Sequence, residues 1–319
     1  MRCVVSVAGA LIVAGFAGVS VAGGSVYDVR VLEQIDFAGA STVQVRGINN
    51  AGDIVGYRTI GGVTESFVRT SGGIDFFQVA GADTFALGIN DSRDTVGAVS
   101  TAGGADSFLR QADGTTVTFQ PLGIADTGGS GINNAGVVVG SANPFSTGGF
   151  VRNTDGTVTS IDSIGNLGET VLKTNATDIN DAGVIFGHAL GQAGPDFFGR
   201  GWYSVDNGST FTTVIRPGEQ FTYVWAGNDA GLLVGDFSTG FSGDRTGFVF
   251  DIASGIFSPF TVTGADWTVP TGINDAGQIV GFSRDRITGQ VSGFVAVVPA
   301  PGTVVMLAAT GLLAGRRRR

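Results

Sequence analysis

The stretch GINNAGDIVG, Gly47 to Gly56, returns near the other end of the chain as GINDAGQIVG, Gly272 to Gly281. Four further copies lie between them: GINDSRDTVG from Gly88, GINNAGVVVG from Gly131, DINDAGVIFG from Asp178 and AGNDAGLLVG from Ala226. Their shared asparagines are Asn49, Asn90, Asn133, Asn180, Asn228 and Asn274, at steps of 41, 43, 47, 48 and 46 residues. A near-constant step of this size is the mark of a propeller or a solenoid array.

A second phrase follows each copy. Its aromatic residue is Phe67, Phe108, Phe150, Trp202, Phe248 or Phe294, and Phe-Val or a close variant is its usual form. Hairpin signals such as Asp155-Gly156 and Asn207-Gly208 come next, each before another β-rich run. Each unit therefore predicts four short strands, enough to fill about 45 residues as one propeller blade. No unit has a 3.6-residue apolar period, and the chain holds 54 glycines, which argues against helical repeats. A β-solenoid ranks second, because its coils are normally shorter. After Phe294 the chain reaches Pro299 with no room for a fourth strand. An unassigned β-run, Val26 to Ile35, precedes the first copy. The expected fold is all-β: a propeller of six four-stranded blades, the last closed by the N-terminal strand, which removes an open edge.

Within the repeated phrase the asparagine opens a turn, with its side chain expected to bond backbone two residues on. The two middle residues suit a type I turn, and the glycine takes positive φ. This assigns turn roles to Asn49 and Gly52, Asn133 and Gly136, Asn180 and Gly183, Asn228 and Gly231, and Asn274 and Gly277. Ile273 and Ile279, on either side of the turn, are expected in the core. In the second copy Arg93 replaces glycine, so that turn is strained or rebuilt. In the fifth, Gly227 replaces isoleucine, and a core contact is expected to be lost. The Asn-Asp pairs also suit calcium, but no copy has the alternating acidic pattern and distant glutamate of a calcium loop. The turn reading is preferred, with no metal or cofactor expected.

The two ends read as addresses. Met1-Arg2-Cys3 is a short basic start, Val4 to Val19 is apolar, and Ser20-Val21-Ala22 has the form of a signal-peptidase site, with cleavage expected after Ala22. At the other end, Val298-Pro299-Ala300-Pro301-Gly302 precedes an uncharged, largely apolar stretch from Thr303 to Gly315. As a helix that stretch spans roughly 20 Å, less than a ~30 Å hydrocarbon core. Arg316, Arg317, Arg318 and Arg319 follow, a cluster that the positive-inside tendency holds in the cytoplasm. The expected organisation is a signal helix in 1–22, a repeat domain in 23–297, and a sorting or anchor segment with an apolar helix in 298–319. Cys3 is the only cysteine, so the exported body has no disulfide. The net charge is −9; without residues 1–22 and 303–319 the body keeps 13 of 18 basic residues and all 27 acids, or −14. A body this acidic repels nucleic acid.

The six phrases, each followed by its aromatic run, resemble the HAF repeats of bacterial extracellular proteins across most of residues 41–297. The match departs at the triplet that names the family. The residues before the aromatic are Glu65-Ser66, Asp106-Ser107, Gly148-Gly149, Thr246-Gly247 and Ser292-Gly293, with no histidine. The tail is similar to a PEP-CTERM sorting signal, with Ala300 where glutamate is usual. These resemblances imply export, recognition by an exosortase-type membrane enzyme, and delivery to the cell surface or an extracellular matrix, in association with polysaccharide.

Two functions compete. One is a non-enzymatic binding or structural module whose partner is an extracellular polysaccharide or another surface protein, with the membrane engaged through the C-terminal segment. The other is a secreted propeller-type glycan hydrolase or lyase. His188 is the only histidine, no G-x-S-x-G elbow is present, and His188 reads as a polar residue at a strand end. Asp229, Asp236 and Asp244 are candidate carboxylates that do not stand out from turn and surface acids. Trp202, Tyr203, Tyr223, Trp225 and Trp267 could stack on sugars, although blade core is the simpler role for most. The module reading is preferred, with no catalytic residue assigned.

Overall fold

The computed structural model describes residues 27–142, 148–161, 170–241 and 243–298. The expected signal helix, Ala22, residues 299–302, the apolar C-terminal helix and Arg316 to Arg319 lie outside them. Among the described residues the only helical element is a 3-10 turn at Pro121–Gly123, and no helix is long and apolar enough to cross a membrane.

The repeat phrase spans the end of one strand, a tight turn and the start of the next. In the first unit Thr42–Ile48 pairs with Ile54–Ile60, then Val63–Thr70 and Gly73–Phe77, as an antiparallel meander. The same order recurs in the units that begin with Thr84–Ile89, Thr127–Ile132, Thr170–Ile179 and Phe221–Gly227. The last unit has three consecutive strands, Ala265–Ile273, Gln278–Asp285 and Val291–Val297. Its fourth position is taken by Arg30–Ile35, which pairs antiparallel with Val291–Val297. Hydrogen bonding leaves four separate sheets, two of eight strands and two of four. The larger ones arise where single parallel bridges, Thr42 to Val291 and Gly199 to Phe221, link neighbouring meanders.

The repeated aromatic anchors each unit: Phe67, Phe108, Phe150, Trp202, Phe248 and Phe294 are all at most 1% exposed. It lies across the glycine that ends the repeat phrase. A Cβ at Gly56 or Gly281 would collide with the carbonyl oxygen of Gln44 or Val269 and with the ring of Phe67 or Phe294. Apolar clusters fill the space between units; Val55 and Val68 pack with Ala86, Val99 and Phe108 of the next. Burying such side chains contributes about 1.5–3 kcal/mol each. Ile273 and Ile279 are both buried.

The first strands of the units are innermost. Each touches the first strand of the next, and Ala265–Ile273 touches Thr42–Ile48, so the contacts close on themselves. Every inner strand carries a β-bulge one residue before the repeat's first position or its equivalent. The residue left unpaired is Arg46, Leu87, Ser130, Thr177, Trp225 or Thr271. Bulges re-aim side chains. Here the alternation of buried and partly exposed positions turns them towards the common axis.

Gly227 departs from its expectation. The lost isoleucine contact is replaced, because the Phe186 ring of the preceding unit fills that space and a Cβ at Gly227 would lie 2.5 Å from it. Phe186 stands where the other copies have valine.

Candidate functional site

The six turns meet around the axis at one end of the molecule. In each, the asparagine carbonyl accepts a bond from the N–H three residues on, and its Oδ1 accepts one from the N–H four residues on, not two. The longer reach closes the whole hairpin loop. Gly52, Gly136, Gly183, Gly231 and Gly277 have φ between 75° and 80°. Arg93 keeps the same turn at φ 66°, so this turn is strained rather than rebuilt. Its guanidinium reaches the preceding turn and pairs with the buried Asp53 carboxylate at 2.7 Å.

The asparagine Nδ2 groups then join the turns. Asn49 donates to the carbonyl of Asn90, Asn90 to Asn133, Asn133 to Asn180, Asn180 to Asn228 and Asn228 to Asn274. Asn274 donates to Asn49 at 3.0 Å. The belt has no end, and the two quoted copies are neighbours in it. The next residues, Asn50, Asp91, Asn134, Asp181, Asp229 and Asp275, form a second, exposed ring. The Oδ1 of each caps a backbone N–H of a neighbouring turn at 2.7–3.2 Å. Asn50 and Asn134 also donate to the carboxylates beside them.

These rings surround a cavity of about 70 Å³, floored by Ile48, Ile89, Ile132, Ile179 and Ile273. Asp178 also lines it, where other copies have glycine or alanine. Desolvation pushes its carboxyl up to about 7; the N–H groups of Ile179 and Gly227 oppose that, and Asp181 adds to it. A polar cavity of this size has room for water.

Beyond the isoleucines, aromatic and charged side chains cluster along the axis. Trp225 donates through Nε1 to Asp236 at 2.7 Å, and Arg245 grips both oxygens of that carboxylate at 2.7 and 2.9 Å. Asp236 is fully buried, so it is neither a turn acid nor a surface acid. Burial raises its pKa, and Arg245 opposes the shift. Asp229 instead belongs to the exposed ring, and Asp244 pairs with Arg286 at the surface.

His188 is buried within the strand Ile185–Ala193, not at its end, because that strand continues well past the repeat phrase. Its ring lies against Tyr223 and Trp225, with Nε2 on Asn175 Nδ2 and Nδ1 on the Val224 carbonyl. A proton on Nδ1 satisfies both contacts. Burial brings its pKa down to about 3, and Arg245, Lys173 and Arg46 act in the same direction. Burial raises the Tyr223 hydroxyl to about 12. Trp202 is core, Tyr203 packs in the cluster with Phe186 and Phe248, and Trp267 lies between Arg245 and Arg284.

Among the described residues no group of three or more His, Cys, Asp or Glu side chains could hold a metal ion. Sequence reasoning missed Asp178, Arg46 and the Asp236 clamp. Asp178 was visible as the one acid at a position otherwise held by glycine or alanine. Arg46 becomes noticeable only when the bulge position is compared across units.

No family model matches the chain, and no curated protein does. Among solved structures it is similar to TolB from Acinetobacter baumannii, at 10% identity and TM-score 0.51, over 77% of this chain and 64% of that one. It is also similar to a catalytically inactive virginiamycin B lyase from Staphylococcus aureus, at 8% identity and TM-score 0.49, over 85% and 99% of the two chains. The β-propeller domain of the Trilobed protease from Pyrococcus furiosus aligns over 81% of this chain and 94% of its own, at 9% identity and TM-score 0.47. At such identities likeness extends to fold alone. With the meanders set around one axis, the chain is an all-β protein of the β-propeller kind.

Proposed function

We propose that this chain is an exported, six-bladed β-propeller that serves as a non-enzymatic binding and structural module at the cell surface or in an extracellular matrix. The observation that carries the reading is the use made of its titratable groups. His188 is neutral and bonded at both nitrogens, and Asp236 braces Trp225 and Arg245. These groups stiffen a wall and do not face one another as an acid and a base. The six-turn belt, with Arg30–Ile35 completing the last meander, supports the blade count.

Export rests on the chain ends: cleavage after Ala22, the motif Val298 to Gly302, and Arg316 to Arg319. The proposed partners are an exosortase-type membrane enzyme and, after delivery, an extracellular polysaccharide or another surface protein. Fractionation of cells expressing the chain with and without residues 298–319 tests the sorting role. The full chain is expected in the envelope and the shortened one in the medium; equal distribution of both refutes it. Release of reducing ends or unsaturated products from a polysaccharide panel would establish the hydrolase or lyase instead.

A further inference from the structure

The bulge residues Arg46 and Trp225 belong to the first and fifth units, which are not neighbours around the axis. Their contact, 5.3 Å from guanidinium to ring, therefore crosses the axis. The Phe282 ring flanks the same guanidinium at 5.9 Å. Among the described residues eight other arginines pair with a carboxylate: Arg30, Arg58, Arg69, Arg93, Arg110, Arg245, Arg284 and Arg286. Arg46 has no ion pair and no hydrogen bond among the described residues. Burial disfavours its charge; Tyr57 offsets this in part, and Arg245 adds to it. An arginine still stays charged in a protein. Its guanidinium is half-buried beside the two rings, so water can reach its N–H donors, and no acceptor among the described residues takes them.

The surroundings are cationic as well. Arg46, Lys173 and Arg245 all act on His188, and among the described residues Asp236 is the one carboxylate in an ion pair with any of these three. This occurs in a chain of net charge −9. Trp225 is held from behind through its Nε1 by the Asp236–Arg245 pair, which fixes the plane of its indole ring.

We propose that the axial cluster binds a carboxylate-bearing sugar, its carboxylate gripped by the Arg46 guanidinium and its ring reaching Trp225 beside it. The planar guanidinium fork matches two carboxylate oxygens, and an indole face suits a flat sugar ring. The inference rests on the binding-module reading and gives it a ligand class.

Calorimetric titration of the full chain with glucuronate and with glucose tests this. The parent is expected to bind glucuronate at least about tenfold more tightly than glucose, the worth of one charge-assisted pair. Arg46→Gln should remove that preference, with glucuronate binding falling to the level of glucose. Arg46→Lys, which keeps the charge but not the fork, should fall between. Should Arg46→Gln not fold, acetate competition on the parent replaces it, with acetate expected to displace glucuronate. Equal binding of the two sugars by the parent, undiminished glucuronate binding by Arg46→Gln, or no glucuronate binding overturns the site. Glucuronate binding that ignores Arg46 would do so while the module reading stands. Cleavage of a polyglucuronate would overturn the non-enzymatic reading alone.

Discussion

Asp178→Asn is expected to stabilise the protein, and only above acid pH. The carboxyl has an ordinary value of 3.8 and is raised to about 7 in the fold. Between those values the unfolded chain has lost the proton and the folded chain still holds it, so stability falls as pH rises. The penalty is absent below about pH 4 and complete above about pH 7. Three units at 1.36 kcal/mol each give about 4 kcal/mol. The asparagine removes this, but leaves one oxygen to face the N–H groups of Ile179 and Gly227, which costs about 1 kcal/mol. The net gain is about 3 kcal/mol at pH 8. Urea denaturation of parent and variant at about pH 4, 6 and 8 measures it, and the difference cancels every titration common to both. A gain of the same size at all three pH values, or no gain at pH 8, refutes the reasoning.

Gly227→Ile restores the repeat but drives a side chain into Phe186, and should cost about 3 kcal/mol. Adding Phe186→Val should recover most of it, read as melting midpoints of the single and double variants. Arg93→Gly relieves a left-handed residue worth about 1–2 kcal/mol. It also leaves the buried Asp53 without its cation, so a net loss of about 1 kcal/mol is expected on chemical denaturation. Asn274→Ala removes the donor to Asn49 and the acceptor for Gln278 N–H in a buried place, and should cost about 2–3 kcal/mol. His188→Gln should flatten the acid limb of the stability profile. The folded imidazole stays neutral down to about pH 3, so the parent loses stability as pH falls from 6.5 towards 3, and the variant does not.

The scaffold was legible because it is written six times. A turn that needs Asn and Gly at fixed places, and a glycine that must lie under an aromatic ring, leave the same letters in each unit. The pairing of Arg30–Ile35 with Val291–Val297 followed from counting strands. The axial cluster was not legible, because it is built from positions that differ between units and meet only across the axis. Arg46 and Trp225 are 179 residues apart and share no local pattern. His188 looked like a strand terminus because the length of Ile185–Ala193 is set by its partner Asp196–Ser204, not by its own residues. Phe186 and Gly227 show the same limit: each is odd in its own copy, and the two make sense only as a pair.

The endless belt of asparagines has a consequence for how the chain acquires its shape. Five of its links join residues 41 to 48 positions apart, and the sixth spans 225. Local links form early and long-range ones late. The last meander moreover needs a strand from each end of the domain, so no unit can finish it alone. The seam between first and last units is therefore the slow step of assembly. Until it closes, the edge of Val291–Val297 that will receive Arg30–Ile35 stays open to any other strand, including the same segment of a second molecule.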